Sequence, residues 1–149
     1  MKKRETEFEM LVREVKNGNQ QAIYNLGFMY LMGQGVDEDA KKAVQLFKKG
    51  CLLNDGKCMQ ALAMCYRNGD GLEKDDKKAV YWLKNGVKIE DAGCMYQYAL
   101  VLEKEGNIEE AKTLMEKSWN KKNRDAKEWL INHGYLKKGL LNLFKRRSL

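Results

Sequence analysis

Apolar residues recur along most of this chain at three- and four-residue spacing, in short runs separated by polar breaks. Ile23, Leu26 and Tyr30, with Gly27 among them, form one run, and Ala43, Val44, Leu46 and Phe47 form the next. Both fit a single stripe on a helix of 3.6 residues per turn. No alternating strand pattern occurs, so the pair predicts a helical hairpin. Its turn is written in residue types: Gly33 can end the first helix in the left-handed conformation, Gly35 continues the turn, and Asp39 is placed to cap the second helix.

The hairpin is then spelled again. "YLMGQGVDEDAKKAVQLF", residues 30–47, returns as "YRNGDGLEKDDKKAVYWL", residues 66–83, a shift of 36. A fixed period in this range marks a repeat architecture, in which each unit buries its apolar face against a neighbour. Small residues recur where helices must approach closely: Ala22, Gly27 and Ala43, then Cys58, Ala63 and Ala79. Cys58 and Cys94 both occupy the slot of Ala22 and act there as small apolar side chains. In the third unit Cys94 and Ala111 are 17 apart, where Ala22 and Ala43 are 21 apart. Four loop residues have gone, and "GNIEEA" offers Asn107 as cap with Glu110 three residues on, a capping-box pattern. Ala126 opens a fourth first helix with Trp129 and Leu130, and residues 8–15 supply a truncated unit at the start. The expected architecture is all-α, with three full hairpins between two partial ones, in a single domain over 1–149. Its segments are 1–21 (partial), 22–57, 58–93, 94–125 (shortened) and 126–149 (partial, with a basic end).

Composition agrees. The 149 residues are 44% apolar and contain no proline, as suits helices whose turns are made by glycine and asparagine. Cys51, Cys58, Cys65 and Cys94 form no C-x-x-C pair, and His133 has no cysteine at ligand spacing, so neither metal nor cofactor is expected. "MKKRETEFEML" lacks the apolar core of a signal sequence, and no window reaches the ~20 apolar residues of a membrane span; a soluble, cytoplasmic protein is expected. Residues 121–149 hold nine Lys or Arg against two acids, Asp125 and Glu128, so the whole excess of +7 belongs to that end.

Ala22, Leu26, Gly27, Tyr30, Gly33, Gly35, Val36, Asp39, Ala43 and Gly50, with their counterparts in the second unit, resemble the landmarks of the Sel-1-like repeat family, long-loop relatives of the tetratricopeptide repeats. The third unit resembles an ordinary tetratricopeptide hairpin, and the likeness spans about residues 8–133. It implies a right-handed α-solenoid that binds proteins or peptides, generally without catalysis. A cysteine-rich branch joins its hairpins by disulfides between cysteines eight apart and has been associated with β-lactam binding and hydrolysis. Here Cys51 and Cys58 are seven apart and Met59 stands where the second cysteine would fall, so that ladder is absent.

In solenoids of this type the first helices line the concave surface. Projection from the core positions turns Gln21, Tyr24, Phe28 and Leu31 inward, then Lys57, Gln60, Met64 and Arg67, then Tyr96, Leu100 and Glu103, and finally Glu128 and Tyr135. Tyr24, Phe28 and Leu31 exceed what hairpin packing needs, and clustered exposed aromatics mark contact surfaces. Gln60 and Arg67 are the expected specificity contacts. The competing expectation is that the N-terminal partial unit folds over Tyr24 and Phe28 and makes them core.

The segment "KKGLLNLFKRRSL" sets Leu140, Leu141, Leu143 and Phe144 among Lys137, Lys138, Lys145, Arg146 and Arg147. Three readings rank in this order: a capping helix for the last hairpin, a helix for an acidic partner or membrane surface, and a nucleic-acid contact, for which no reading motif appears. Catalytic motifs are missing, and His133 before Gly134 reads as a helix C-terminal residue favoured by the dipole. The sequence therefore points to a non-enzymatic scaffold or adaptor holding a protein or peptide, with an immunity protein for a toxin as one form of it. A second copy of the chain is another candidate occupant. The alternatives are a β-lactam-binding or hydrolysing enzyme, and nucleic-acid or membrane-surface binding through the basic end.

Overall fold

The computed structural model describes residues 4–136. Lys137, Lys138, Lys145, Arg146 and Arg147, and the cap expected around them, lie outside the described residues. Eight helices occur among the described residues: α1 (Glu7–Lys16), α2 (Gln21–Met32), α3 (Ala40–Leu52), α4 (Gly56–Asn68), α5 (Asp76–Lys88), α6 (Ala92–Lys104), α7 (Ile108–Asn120) and α8 (Arg124–Asn132). Three hairpins, α2–α3, α4–α5 and α6–α7, thus stand between the single helices α1 and α8. The chain divides into two compact units, residues 1–89 and 90–149.

In the first unit the hairpin turns follow from their residue types. Gly33 and Gly69 close α2 and α4 at φ 64° and 81°, the left-handed region that a Cβ disfavours. The Asp39 and Asp75 carboxylates accept the backbone N–H of Lys42 and Lys78, both at 3.0 Å, which satisfies a donor that the helix start leaves free. Those bonds, before any charge effect, hold both carboxyls below the usual carboxylate range. The loops are tied across the hairpin by Asp39 N–H donating to the Tyr30 carbonyl and Asp75 N–H to the Tyr66 carbonyl, each at 2.8 Å.

Small residues then set how closely the helices approach. A Cβ on Gly27 would meet the Phe47 ring at 2.6 Å, and a Cβ on Gly50 would stand 2.7 Å from the Cys58 Cβ. Phe47 and Cys58 are fully buried as a result, and burying a phenylalanine is worth about 2–3 kcal/mol. Gly71, in the second hairpin's loop, comes so near the start of α3 that a Cβ there would strike the Ala40 carbonyl. At the N-terminal end a Thr6–Glu9 capping box starts α1, which packs through Leu11, Phe8, Val12 and Val15 on the Leu26–Met29–Tyr30 side of α2.

The second unit pairs α6 with α7 and α7 with α8. Cys94, Ala99, Ala111, Met115, Ala126 and Leu130 are fully buried, as the repeat register predicts for Cys94, Ala111 and Ala126. Ser118, also buried, donates its hydroxyl to the Ala92 carbonyl at 2.6 Å. Asn107 occupies the N-cap position of α7, but no side-chain bond forms, so the expected capping box is not realised. The shortened turn is closed by backbone instead, Asn107 N–H to the Leu102 carbonyl at 2.8 Å. That leaves Asn107 at ψ 61°, where the side-chain caps Asp55 and Asp91 have 110° and 122°.

Candidate functional site

In the first unit, α2 carries no charged residue along Gln21–Met32 and is covered on three sides, by α1, α3 and α4. A helix apolar nearly all round is packed nearly all round. This corrects the placement of Leu31, which is buried at 9% exposure and not open to a ligand. Met32 beside it is the exposed residue, at 54%. Tyr24 and Phe28 remain half-buried, with rings stacked 6.1 Å apart at 27°. The Tyr24 ring also lies 6.2 Å from Phe47, and its hydroxyl is pushed up from the ordinary tyrosine range, first by burial, then by Cys58 and Asp55. Since α1 lies on the Tyr30 side, where Phe8 meets Tyr30 edge-on at 5.5 Å, the expectation that the N-terminal unit covers Tyr24 and Phe28 is not what the chain does.

The surface continues onto α4. Lys57 holds its ammonium 5.8 Å from the centre of the Tyr24 ring, which joins the two helices. Gln60, Met64 and Arg67 follow at three- and four-residue spacing; Gln60 is half-buried, and Met64 and Arg67 are exposed. Among the described residues Arg67 forms no ion pair. The thiols behind this surface are buried, which disfavours their thiolate forms. Burial pushes Cys51 up to about 12 and Cys65 to about 11, and Cys58 is raised for the same reason.

The second unit gathers the remaining candidates differently. Tyr96 is half-buried, its hydroxyl raised by burial and then by the carboxylates of Asp125, Glu128 and Glu103; Leu100 is 36% exposed. Glu103 is no open carboxylate: it accepts the Trp129 indole N–H at 2.8 Å, and its other oxygen lies 2.8 Å from His133 Nε2. The other nitrogen of His133 faces the Trp129 carbonyl at 2.9 Å. Both neighbours are acceptors, so both contacts form together when the ring carries two protons. His133 stacks on Trp129 at 3.9 Å, Tyr135 lies 5.9 Å from Trp129, and Lys112 is 4.6 Å from the Tyr135 ring centre. His133 is the C-terminal cap of α8, as the sequence predicts. The sequence does not predict its partnership with Glu103. The i, i+4 spacing of Trp129 and His133 announces that pair, but nothing local announces a carboxylate two helices away.

Two segments, residues 20–55 and 56–86, match the Sel1 repeat model. Those two segments are Sel1 repeats. Solved relatives agree in fold: a Sel1 repeat protein from Oxalobacter formigenes is 27% identical with a TM-score of 0.68 over 74% of this chain. A protective antigen of uropathogenic Escherichia coli with an SLR fold, c5321, is 19% identical with a TM-score of 0.74 over 86%, a likeness of fold alone. Helicobacter pylori cysteine rich protein B is 28% identical with a TM-score of 0.51 over 54%. The chain spans 46%, 28% and 61% of these three proteins. No curated protein shows significant sequence similarity to it. The fold class is therefore the all-α solenoid, a fold that commonly serves protein interaction. Among the described residues no helix is long and apolar enough to cross a membrane.

Proposed function

We propose that this Sel1-repeat protein is a non-catalytic adaptor that holds a segment of another protein against the α2–α4 surface of its first unit. The observation that carries this reading is the half-exposed Tyr24–Phe28 stack, continued by exposed Met64, on the side of α2 that α1 leaves open. Aromatic side chains supply contact area at low entropic cost, methionine adapts its shape to a partner, and aromatic anchors dominate interface energies. A neutralising partner for a toxin and a regulatory subunit are two forms of this function, and the cytoplasm is the compartment we assign to it. Raised, buried thiols favour a binding role over a cysteine-based enzyme.

The test uses the chain as bait, beside a Tyr24→Ala, Phe28→Ala variant of matched helicity, with captured proteins identified and their affinities measured by calorimetry. A partner bound by the wild type and weakened at least tenfold by the variant supports the reading. A partner bound equally by both refutes it.

A further inference from the structure

The charges carried by α2 and α4, the two helices of the Tyr24–Phe28 surface, are all of one sign, and this narrows what can lie on it. Between residues 21 and 89 carboxylates occur only at 37–39 and 70–76, in the hairpin loops and the start of α5, and at Asp55. Asp55 is engaged as the N-cap of α4, accepting the backbone N–H of Cys58 at 3.1 Å. On the helices that form the surface, α2 has no charge and α4 has Lys57 in its first turn and Arg67 in its last. Lys57 is held over the Tyr24 ring, and Arg67 projects into solvent without an ion pair among the described residues. Two cations therefore bracket an apolar strip of Tyr24, Phe28 and Met64, with Gln60 between them.

We infer that the occupant of this surface is an acidic peptide segment, with an apolar side chain between two carboxylates that face Lys57 and Arg67. Ten residues of helix place those cations about 15 Å apart. An extended chain covers that span in about four or five residues, so the carboxylates stand at that spacing. An apolar side chain between them reaches Tyr24, Phe28 and Met64, while basic segments are rejected by like charge. This inference rests on the proposed use of the α2–α4 surface and adds the chemistry of the ligand.

The experiment is selection of a random 12-residue peptide library displayed on phage against the full chain. Three baits run in parallel: wild type, Lys57→Glu with Arg67→Glu, and Tyr24→Ala with Phe28→Ala, all with native-like helicity. Expected is a wild-type pool of net negative charge with carboxylates four or five residues apart around an apolar residue. Its leading clone binds the charge-reversed bait about tenfold or more weakly, since two exposed ion pairs become repulsive, and loses affinity as salt rises. A pool without acidic bias, or an acidic pool retained by the charge-reversed bait, overturns the inference. If that acid-free pool is still lost on Tyr24→Ala, Phe28→Ala, the surface reading stands and only the ligand chemistry fails. If the wild type enriches nothing, or its pool is indifferent to the aromatic substitutions, both fail. Displacement of the leading clone by a single-stranded oligonucleotide at equal charge concentration would show a general polyanion surface and overturn the peptide assignment.

Discussion

Gly50→Ala sets two effects of opposite sign against each other, and the structure says which is larger. Alanine in place of glycine within α3 favours the helix by about 1 kcal/mol. The added methyl, however, lies 2.7 Å from the Cys58 Cβ, where ordinary contact begins at 3.4 Å, and collides with the Cys58 sulfur as well. The sulfur can turn away, but the Cβ is fixed to α4, so the two helices must separate. Overpacking of this kind costs about 1–3 kcal/mol, and contact with a backbone-anchored atom places it at the upper end, near 3. The net expectation is a loss of about 2 kcal/mol, a fall in Tm of about 6 °C for a chain of this length. Cys58→Gly removes both offending atoms and is itself destabilising, by about 2–3 kcal/mol through lost burial and helix propensity. In the double variant the methyl occupies the vacated space, so the two losses should fall short of additive by about 3 kcal/mol, the overpacking that is relieved. Urea unfolding of the four proteins measures this cycle. Gly50→Ala at or above wild-type stability, or strict additivity with Cys58→Gly, would refute the close approach of α3 and α4.

Three further outcomes follow from the same geometry. Asp39 and Asp75 titrate below their ordinary range in the folded chain, so their stabilisation is complete above the unfolded carboxyl range and is lost as pH falls through the lower folded values; the stability advantage of wild type over Asp39→Ala, Asp75→Ala should be present at pH 7 and shrink below about pH 4. With thiols held near 11 or above, Cys51, Cys58 and Cys65 are almost wholly protonated at pH 8, and a disulfide reagent should label them at least tenfold more slowly than a free thiol until urea is added. Glu103→Leu strands the Trp129 indole N–H and removes the acceptor of His133, which should cost about 1–3 kcal/mol by urea unfolding and shift Trp129 emission, while Glu103→Gln, which keeps an acceptor for the indole, should cost less.

The hairpins, their turns and the slots of Cys58, Cys94, Ala111 and Ala126 are legible in the sequence because each depends on neighbours within one helix or one loop. Periodicity fails first on α2. Its stripe is apolar nearly all round, so no polar face orients it, and Leu31 is assigned to the open side although α2 is packed from three directions. Asn107 and Glu110 have the letters of a capping box, but the backbone of a turn four residues shorter aims Asn107 elsewhere. The Glu103–Trp129–His133 cluster escapes because its members lie 26 and 30 residues apart and no repeat copy predicts them. Lys57 is readable as inward-facing, whereas its place over Tyr24 depends on how α2 and α4 meet.

Gly71 has a meaning for how such an array grows. Its counterpart Gly35 needs only its left-handed turn, since a Cβ there would meet nothing closer than the movable end of Met29, at 3.3 Å. Gly71 needs the same turn and also clearance from the Ala40 carbonyl, which every residue but for its side chain presents alike. At this loop contact the incoming module carries the steric demand, and the module already in place contributes only main chain. A duplicated copy of residues 58–93 would bring its half of this loop contact with it, while the helix contact still asks the preceding module for a glycine at the Gly50 position, which Gly86 supplies one repeat later.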